Sequence, residues 1–542
     1  MTRKLIQSTA VTGGMTLISR ITGLVRDIVF AGLIGAGAGV AADAFYVAFR
    51  IPNFLRRIFG EGAFSQAFVP VFTEYKTRAT PEDTRAFVDH MTGVLGVILF
   101  IVTLIGVLAA PILVMVLAPG FLDEPHKYDL TVQMLRIMFP YLLFVSLVAM
   151  AAGILNTYGK FAAAAFTPVL LNLCLIGAAL WLAPRMAEPV LALAWGVFLA
   201  GVVQLLFQLP FLRALRILPR PRLKPVHDSR DGGGRATPGA VAGTAVGDGV
   251  VRVFKLMLPA IFGVSVSQIN LLVNTLLASF LVTGSVSWLY YSDRLMEFPL
   301  GVFGIALATV ILPSLSRKHA TNSHEEFSQL LDWALRWVVL IGLPASVALV
   351  VLSGPLLATL FHYGAFNAHD VRMSAQALMA FSTGLLAFIL IKVLAPGFYA
   401  RQDTKTPVRI GIVAMLVNIV LSLVLVFPLK HTGLALAISF AAFVNAALLY
   451  RRLRALNVYR PLPGWGAFLL RVTLATAGMG ALLAWGAGDI GRWLAAPAQE
   501  RVIQLTIWVV AGLLAYGGLM LALGVRPAQM LLRKPDGPRG DD

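Results

Sequence analysis

The sequence predicts an all-α polytopic membrane protein with about fourteen transmembrane helices. Of its 542 residues, 58% are hydrophobic and only 13% are charged, and the mean hydropathy is +0.81. Apolar runs of about 20 residues, the length that a helix needs to cross a bilayer, recur along the whole chain. The runs are rich in Leu, Ala, Val and Gly without a period of two, which favours helices over a barrel.

A window of about 19 residues places the helices in order along the chain. They are expected to begin near residues 6, 43, 86, 130, 161, 189, 249, 287, 328, 372, 407, 432, 465 and 502. The second and eighth helices are the least hydrophobic, and Pro52 predicts a break in the second.

The basic residues predict the orientation. Of the 44 Lys and Arg, about 28 lie at the termini and in loops after even-numbered helices, about 6 after odd-numbered helices and about 10 within helices. Both termini are therefore expected in the cytoplasm, with no cleaved signal peptide. The net charge of +18 reflects this topology, so no nucleic-acid partner is expected. Cys174 is the only cysteine, which excludes a disulfide within the chain.

Five parts are predicted from the spans and the loop composition. Residues 1–217 form an N-terminal lobe of six helices, and residues 249–457 form a C-terminal lobe of six more. Between them, residues 218–248 form a flexible basic cytoplasmic linker. Residues 458–525 add two helices, and residues 526–542 form a cytoplasmic tail.

An internal repeat at an offset near 244 relates the two lobes. Five pairs fall into register: Tyr46 with Tyr290, Arg50 with Arg294, Pro111 with Pro355, Gly120 with Gly364, and Gly153 with Gly397. Six helices per copy is an even number, so the repeat is parallel. Two such lobes are typical of alternating-access transporters, although channels and enzymes also contain repeats.

Charged residues inside the predicted helices form the candidate site. Intramembrane arginine costs about 2.5 to 3.5 kcal/mol and usually faces a cavity or a partner. The candidate substrate-binding residues are Arg20, Arg26, Arg56 and Arg294. The candidate supporting residues are Asp43, Asn53, Arg57, Glu61, Asp293 and Glu297. The alternative is that the arginines extend to an interface or sit in satisfied ion pairs.

The excess positive charge predicts an anionic substrate that carries phosphate or carboxylate, because the guanidinium fork binds both groups in a bidentate way. The eight histidines do not cluster, and neither a Ser-His-Asp arrangement nor an HExxH motif is present. We therefore expect no catalytic residue, no metal site and no cofactor, and a protein that is not an enzyme.

Four stretches resemble the bacterial MurJ (MviN) lipid II flippase family. They are SRITGLVRDIVFAGLIGAG, ADAFYVAFRIPNFLRRIFGEGAFSQAFVPVFTEY, GSVSWLYYSDRLMEFPLGVFGIALATVILPSLS and VLAPGFYARQDTKTPV. The resemblance extends over about residues 6–523 and implies the MATE-like fold of the MOP superfamily. It also implies a bacterial cytoplasmic (inner) membrane protein that moves lipid II, an undecaprenyl diphosphate with a disaccharide-pentapeptide, to the outer leaflet for peptidoglycan assembly.

The resemblance also implies residue roles. A cationic cavity between the lobes would bind the diphosphate through the four arginines named above, with acidic residues at Asp43 and Glu297. We hypothesise that these two acids hold the arginines apart when the site is empty. Residues of about 460–525 would form a groove for the lipid tail. Cycling would be coupled to the membrane potential or to an ion of unknown identity, and Asn418 is the polar residue that the eleventh helix offers to an ion.

Other readings stay open at this point. A carrier for another polyprenyl-diphosphate glycan fits the same charges, whereas a multidrug exporter of the same superfamily should have a more apolar or acidic cavity. A glycan polymerase would need a catalytic acid or base and a sizeable outside loop, and a scaffold for cell-wall enzymes would not need cavity charges. The expected partners are lipid II, membrane lipids and cell-wall synthesis proteins.

Overall fold

The structure, a computed structural model, describes residues 3–37, 39–57, 63–223, 246–321 and 323–525. Glu61, most of the predicted linker and the predicted tail lie outside these residues. The described residues form helices joined by short turns and contain no strand. The prediction of an all-α fold is therefore confirmed.

The chain divides into two compact units, Met1–Gly284 and Ser285–Asp542. The helices of unit 1 are α1 (Arg3–Ile34), α2 (Val40–Leu55), α3 (Ala63–Arg78), α4 (Pro81–Leu108), α5 (Ala110–Leu117), α6 (Pro125–Met138), α7 (Tyr141–Thr157), α8 (Phe161–Gly177), α9 (Pro189–Ala214) and α10 (Val246–Ser279). The helices of unit 2 are α11 (Ser285–Pro299), α12 (Ile305–Ala320), α13 (His324–Val351), α14 (Ser353–Phe361), α15 (Ala368–Thr383), α16 (Leu385–Tyr399), α17 (Lys405–Ala455), α18 (Trp465–Ala487), α19 (Ile490–Ala495) and α20 (Ala498–Ala522).

Helices lie at all fourteen predicted positions, and nine helical spans in the described residues, of which one joins α6 with α7 and another joins α15 with α16, are long and apolar enough to cross a membrane. One of the nine, α17, has 51 residues. At about 1.5 Å per residue it would be about 76 Å long, more than twice the hydrocarbon core. Lys430 interrupts it with φ 51° and ψ −133°. α17 therefore contains two helices, which agree with the starts predicted near 407 and 432, while the total of fourteen crossings stays a prediction.

The helix boundaries repeat along the chain with the offset found in the sequence. α4 and α13 each have 28 residues and begin 243 residues apart. α2 and α11 begin 245 residues apart, and α8 and α17 begin 244 apart. Both copies also break their polar helix: α2 contains Pro52 and runs into a π turn at Arg56 and Arg57, while α11 ends at Pro299 before a π-helical turn, Leu300–Gly304.

One helix packs in a different unit from the lobe to which the sequence repeat assigns it. α10, which the sequence analysis counts with the second lobe, packs against α3 and α4 of unit 1. Arg252 of α10 donates to Glu74 of α3 at 2.8 Å, and a Cβ at Gly249 would come within 2.4 Å of the Tyr75 hydroxyl. This close approach places α10 in unit 1.

In each unit the chain turns back after the last helix of the repeat and packs against an earlier helix, α4 in unit 1 and α13 in unit 2. In unit 1 the chain turns at Arg216 (φ 58°) and lies on α4, where the Arg220 amide donates to Asp89 at 2.7 Å. In unit 2 the chain turns at Asn457 (φ 53°) and lies on α13, where the Leu462 amide donates to Asp332 at 3.1 Å. Both aspartates are buried, and each is the ninth residue of its helix.

Candidate functional site

Arg26 on α1 is buried and already has partners. Its Nε and Nη2 donate to Asp27 Oδ1 at 3.0 and 2.6 Å, and its Nη1 donates to Asn172 Oδ1 at 3.1 Å. Asn172 lies on α8 and in turn donates to the carbonyl oxygen of Ser19 and to Thr22 Oγ1. The charge of Arg26 is therefore compensated, and its guanidinium joins α1 to α8.

Arg20, less than two turns before Arg26, differs from it. Its side chain is half-buried and has neither a hydrogen bond nor an ion pair to any residue that the structure describes. Arg57 in the π turn after α2 is likewise half-buried and unpaired within the described ranges. Its neighbour Arg56 donates twice to Asn53 Oδ1, at 3.1 and 2.8 Å. The amide of Asn53 carries no charge, so this contact orients the guanidinium of Arg56 without neutralising it.

Asp43 lies in a buried polar cluster in unit 1. Its Oδ2 accepts a hydrogen bond from the Gly284 amide at 2.7 Å and lies 3.6 Å from Lys127 Nζ. Lys127 is 1% exposed, donates to Glu124 and Thr283, and lies over the ring of Phe121 at 4.3 Å. The cluster therefore joins the start of α2, the start of α6 and the loop after α10.

The position of Asp43 bears on its hypothesised role. Asp43 and Arg56 are thirteen residues apart along one helix, about 20 Å at 1.5 Å per residue. Asp43 therefore cannot separate Arg56 from the other arginines by direct contact.

In unit 2 the predicted residues lie on α11. Arg294 Nη1 is 3.7 Å from Glu297 Oε2, and both side chains are partly exposed. Asp293 beside them is half-buried. Glu297, which the sequence places three residues after Arg294, is thus an ion-pair partner of Arg294 in this structure. Glu61, the remaining predicted residue, lies outside the described residues.

Sequence reasoning missed three polar residues inside the helices. Asn172 and Lys127 contact predicted site residues, and Lys392 lies on α16 within the apolar stretch Ala368–Tyr399. A search for every polar residue in an apolar run would have found Asn172 and Lys392. Lys127 stands in a polar stretch at the start of α6, where it has the pattern of an ordinary interfacial residue.

A second polar cluster anchors α18 to α13. Asp332 is fully buried, and its Oδ1 accepts hydrogen bonds from the Tyr459 hydroxyl at 2.8 Å, the Leu462 amide at 3.1 Å and Trp465 Nε1 at 2.7 Å. Its Oδ2 accepts from Arg336 Nε at 2.8 Å. Burial and the hydrogen bond to Asp332 raise the pKa of Tyr459, so the phenol stays a donor.

α18 then packs on α13, and α20 packs on α18 and α14. One apolar cluster contains Val339 of α13, Val472 of α18 and Met520 of α20. The Tyr516 hydroxyl of α20 donates to the Leu340 carbonyl at 2.7 Å. Many other side chains of α20 are exposed, among them Leu513 and Leu514. α20 therefore exposes an apolar surface, while α18 is anchored to α13.

The arrangement suits anion binding within each unit. Arg20 on α1 and Arg56 and Arg57 at the end of α2 bring positive charge into unit 1, and Arg294 on α11 does so in unit 2. Buried charge without a counter-ion is costly, so an anion with several oxygens would be stabilised by such groups. In the described part of the chain, no group of three or more His, Cys, Asp or Glu could hold a metal ion.

Comparisons with known proteins point to one family. A family model described as "Lipid II flippase MurJ" matches residues 31–493. The protein of Vibrio cholerae serotype O1 named "Probable lipid II flippase MurJ" is 48% identical over 533 residues, which is 97% of this chain and 97% of that protein.

Solved structures show the same fold. One described as "Lipid II flippase MurJ, inward closed conformation" matches with a TM-score of 0.76 at 24% identity, over 95% of this chain and 99% of that one. An inward-facing multidrug resistance MATE family transporter of the MOP superfamily matches with a TM-score of 0.65 at 16% identity, over 83% and 98% of the two chains. The MATE-like fold predicted from the sequence is thereby confirmed.

Proposed function

The chain belongs to the family of the lipid II flippase MurJ, and we propose that it moves lipid II from the inner to the outer leaflet of the bacterial cytoplasmic membrane. Several relatives that are 43% to 48% identical carry the lipid II flippase name. The observation in the structure that supports the proposal most directly is that Arg20 on α1 and Arg57 after α2 are half-buried and have no partner among the residues that the structure describes.

We assign the diphosphate of lipid II to these cations. A diphosphate carries about two negative charges and loses its hydration inside the membrane, so it needs several donors that replace water. Arg20, Arg56 and Arg57 of unit 1 and Arg294 of unit 2 supply them. The Arg294–Glu297 pair, at 3.7 Å and partly exposed, is weak enough to exchange Glu297 for a phosphate oxygen.

Arg26 has a positioning role in this proposal. Its guanidinium is hydrogen-bonded to Asp27 and Asn172, so it holds the rotation of α1 and thereby the direction in which Arg20 extends. It presents Arg20 to the substrate and contributes less of its own charge than Arg20 does.

Transport follows by alternating access of the two units, while the polyprenyl tail stays in the membrane along residues 458–525. Both termini and the linker lie in the cytoplasm in this proposal. A site with net positive charge is drawn inward by a membrane potential that is negative inside, at about 2.3 kcal/mol per charge per 100 mV. The potential would then return the empty carrier, and transport needs no covalent chemistry.

The test is translocation of lipid II in vesicles that contain the intact protein or a single variant at matched expression. Arg20→Ala, Arg56→Ala and Arg294→Ala are expected to stop transport while the protein still inserts. Arg372→Ala is the control, because Arg372 is an exposed cation near the start of α15. Equal transport in all variants would refute the anion-binding role, and an intact protein that moves no lipid II would refute the proposed function.

A variant of Arg26 separates positioning from binding. Arg26→Ala leaves Asp27 buried without its cation, so a loss of transport with a loss of stability would report positioning alone. Arg26→Ala combined with Asp27→Ala removes both charges. Recovery of both stability and transport would show that Arg26 only compensates the charge of Asp27.

A further inference from the structure

Lys392 is an exposed, charged residue on α16, a helix that packs against several neighbours. α16 packs against α12, α13, α17 and the π-helical turn Leu300–Gly304, all in unit 2. From residue 385 to residue 398 every side chain of α16 is buried or half-buried except that of Lys392, which is exposed. The exposed side chain of this part of α16 is therefore that of a lysine, within a span apolar enough to cross a membrane.

The ammonium of Lys392 has no counter-ion within the part of the chain that the structure describes, and no hydrogen-bond acceptor there. Other cations in the same unit do have one: Arg294 pairs with Glu297 and Arg336 pairs with Asp332. An unpaired charge inside a membrane segment faces a water-filled path or a ligand, because hydrocarbon does not solvate it.

Extension of the side chain to the nearer membrane surface does not account for Lys392. α15 and α16 form one apolar span, Ala368–Tyr399, and its nearer end is Tyr399, seven residues or about 10 Å further along the helix. Helical side chains lean toward the N-terminus of their helix, so Lys392 leans away from that end. Its Cγ lies 3.7 Å from the point where a Cβ on Gly304 would stand. The stem of Lys392 therefore passes along the π-helical turn at Gly304.

This turn belongs to the broken helix that carries Arg294. Ten residues separate Arg294 from Gly304, about 15 Å at 1.5 Å per residue. Lys392 thus places a second positive charge beside the turn that follows this helix, at a different depth from Arg294. An anion that moves along this path would therefore meet Arg294 and Lys392 one after the other, at two different depths.

We propose that Lys392 is a further anion-binding residue on the transport path of unit 2, which contacts an anionic oxygen of the substrate at a different depth from Arg294. The inference rests on the proposed function and adds a second contact level to it. Lipid II offers two sources of such oxygen, the diphosphate and the carboxylates of its peptide. Both bind an ammonium through charge-assisted hydrogen bonds.

The experiment measures binding of lipid II and of undecaprenyl diphosphate to the full-length protein, and transport of lipid II at several concentrations. Lys392→Met keeps the length and removes the charge, Lys392→Arg restores it, and Arg372→Met is the control. We expect Lys392→Met to lose about tenfold or more in affinity for lipid II, with a higher KM, and Lys392→Arg to recover most of it.

The two ligands identify the source of the anion. A loss for both assigns Lys392 to the diphosphate, and a loss for lipid II alone assigns it to the peptide carboxylates. Unchanged affinity for both ligands overturns the inference, and so does a fall in maximal rate with unchanged KM that Lys392→Arg does not rescue. Failure of the intact protein to bind or move lipid II would instead count against the proposed function.

Discussion

Removal of the Asp332 carboxylate should release the chain before α18 from α13. Asp332→Ala deletes the acceptor of four hydrogen bonds, from Tyr459, Leu462, Trp465 and Arg336. Loss of one partner of a buried charged network costs about 3 to 5 kcal/mol. The cost falls on local opening of this segment, because the apolar contacts between α13 and α18 remain.

That free energy converts directly into hydrogen exchange. Since about 1.4 kcal/mol is a factor of ten, amides of residues 458–466 should exchange about a hundredfold to several-thousandfold faster in Asp332→Ala. Asp332→Asn keeps an acceptor oxygen and loses the charge, so a smaller increase of about ten- to a hundredfold is expected. Mass spectrometry of the purified protein in detergent measures both.

The repeat supplies the control. Asp89→Ala removes the equivalent contact on α4 and should accelerate exchange at residues 217–222 only. Asp332→Ala should leave those residues unchanged. If residues 458–466 exchange at the same rate in Asp332→Ala and in the unaltered protein, the hydrogen bonds of Asp332 do not hold this segment and the reasoning fails.

Three further predictions concern packing, charge pairing and pH. Gly93→Ala should lower the unfolding temperature, because its Cβ would lie 2.3 Å from a carbonyl oxygen of the chain docked on α4; Gly96→Ala on the same helix meets nothing within 4 Å and should be neutral or stabilising, and equal effects would contradict the account. Lys127→Met should cost about 3 to 5 kcal/mol by leaving Asp43 without its cation, and adding Asp43→Asn should recover part of the loss in thermal unfolding; simple additivity would show that the pair is not coupled. Burial and a neighbouring arginine lower the pKa of His362 below 6.5, so the unfolded chain binds a proton that the folded chain does not, and stability should fall as the pH drops below 6.5; His362→Gln should weaken this dependence, and an identical pH profile would argue against it.

Much of the fold follows from local sequence. Apolar runs of membrane length can only be helices, so the elements could be placed before any contact was known. The repeat was also visible in the chain, because proline and glycine positions mark helix breaks and both copies break at matching places. The division of α17 into two helices was also predictable. The two apolar runs near 407 and 432 predict two helices, and the structure has a bend between them at Lys430.

The candidate site was predictable as a set of residues but not as a set of partners. Intramembrane arginines stand out in the sequence because each one is costly in lipid, so Arg20, Arg26, Arg56 and Arg294 were found. Which of them is already neutralised depends on neighbours far away in the chain. Asn172 reaches Arg26 across 146 residues, and Lys127 lies at the start of a helix with an ordinary interfacial pattern.

The sequence by itself determined the membrane class, the helices, the repeat and the family, because hydropathy, helix breaks and motifs are local properties of the chain. Only the tertiary structure decided that Arg26 is bonded to Asp27 and Asn172, that Asp43 lies beside Lys127, that α10 packs in unit 1 and that Lys392 is exposed. The physical reason is that the free energy of a buried charge depends on which groups replace its water, and folding brings those groups from distant positions in the sequence.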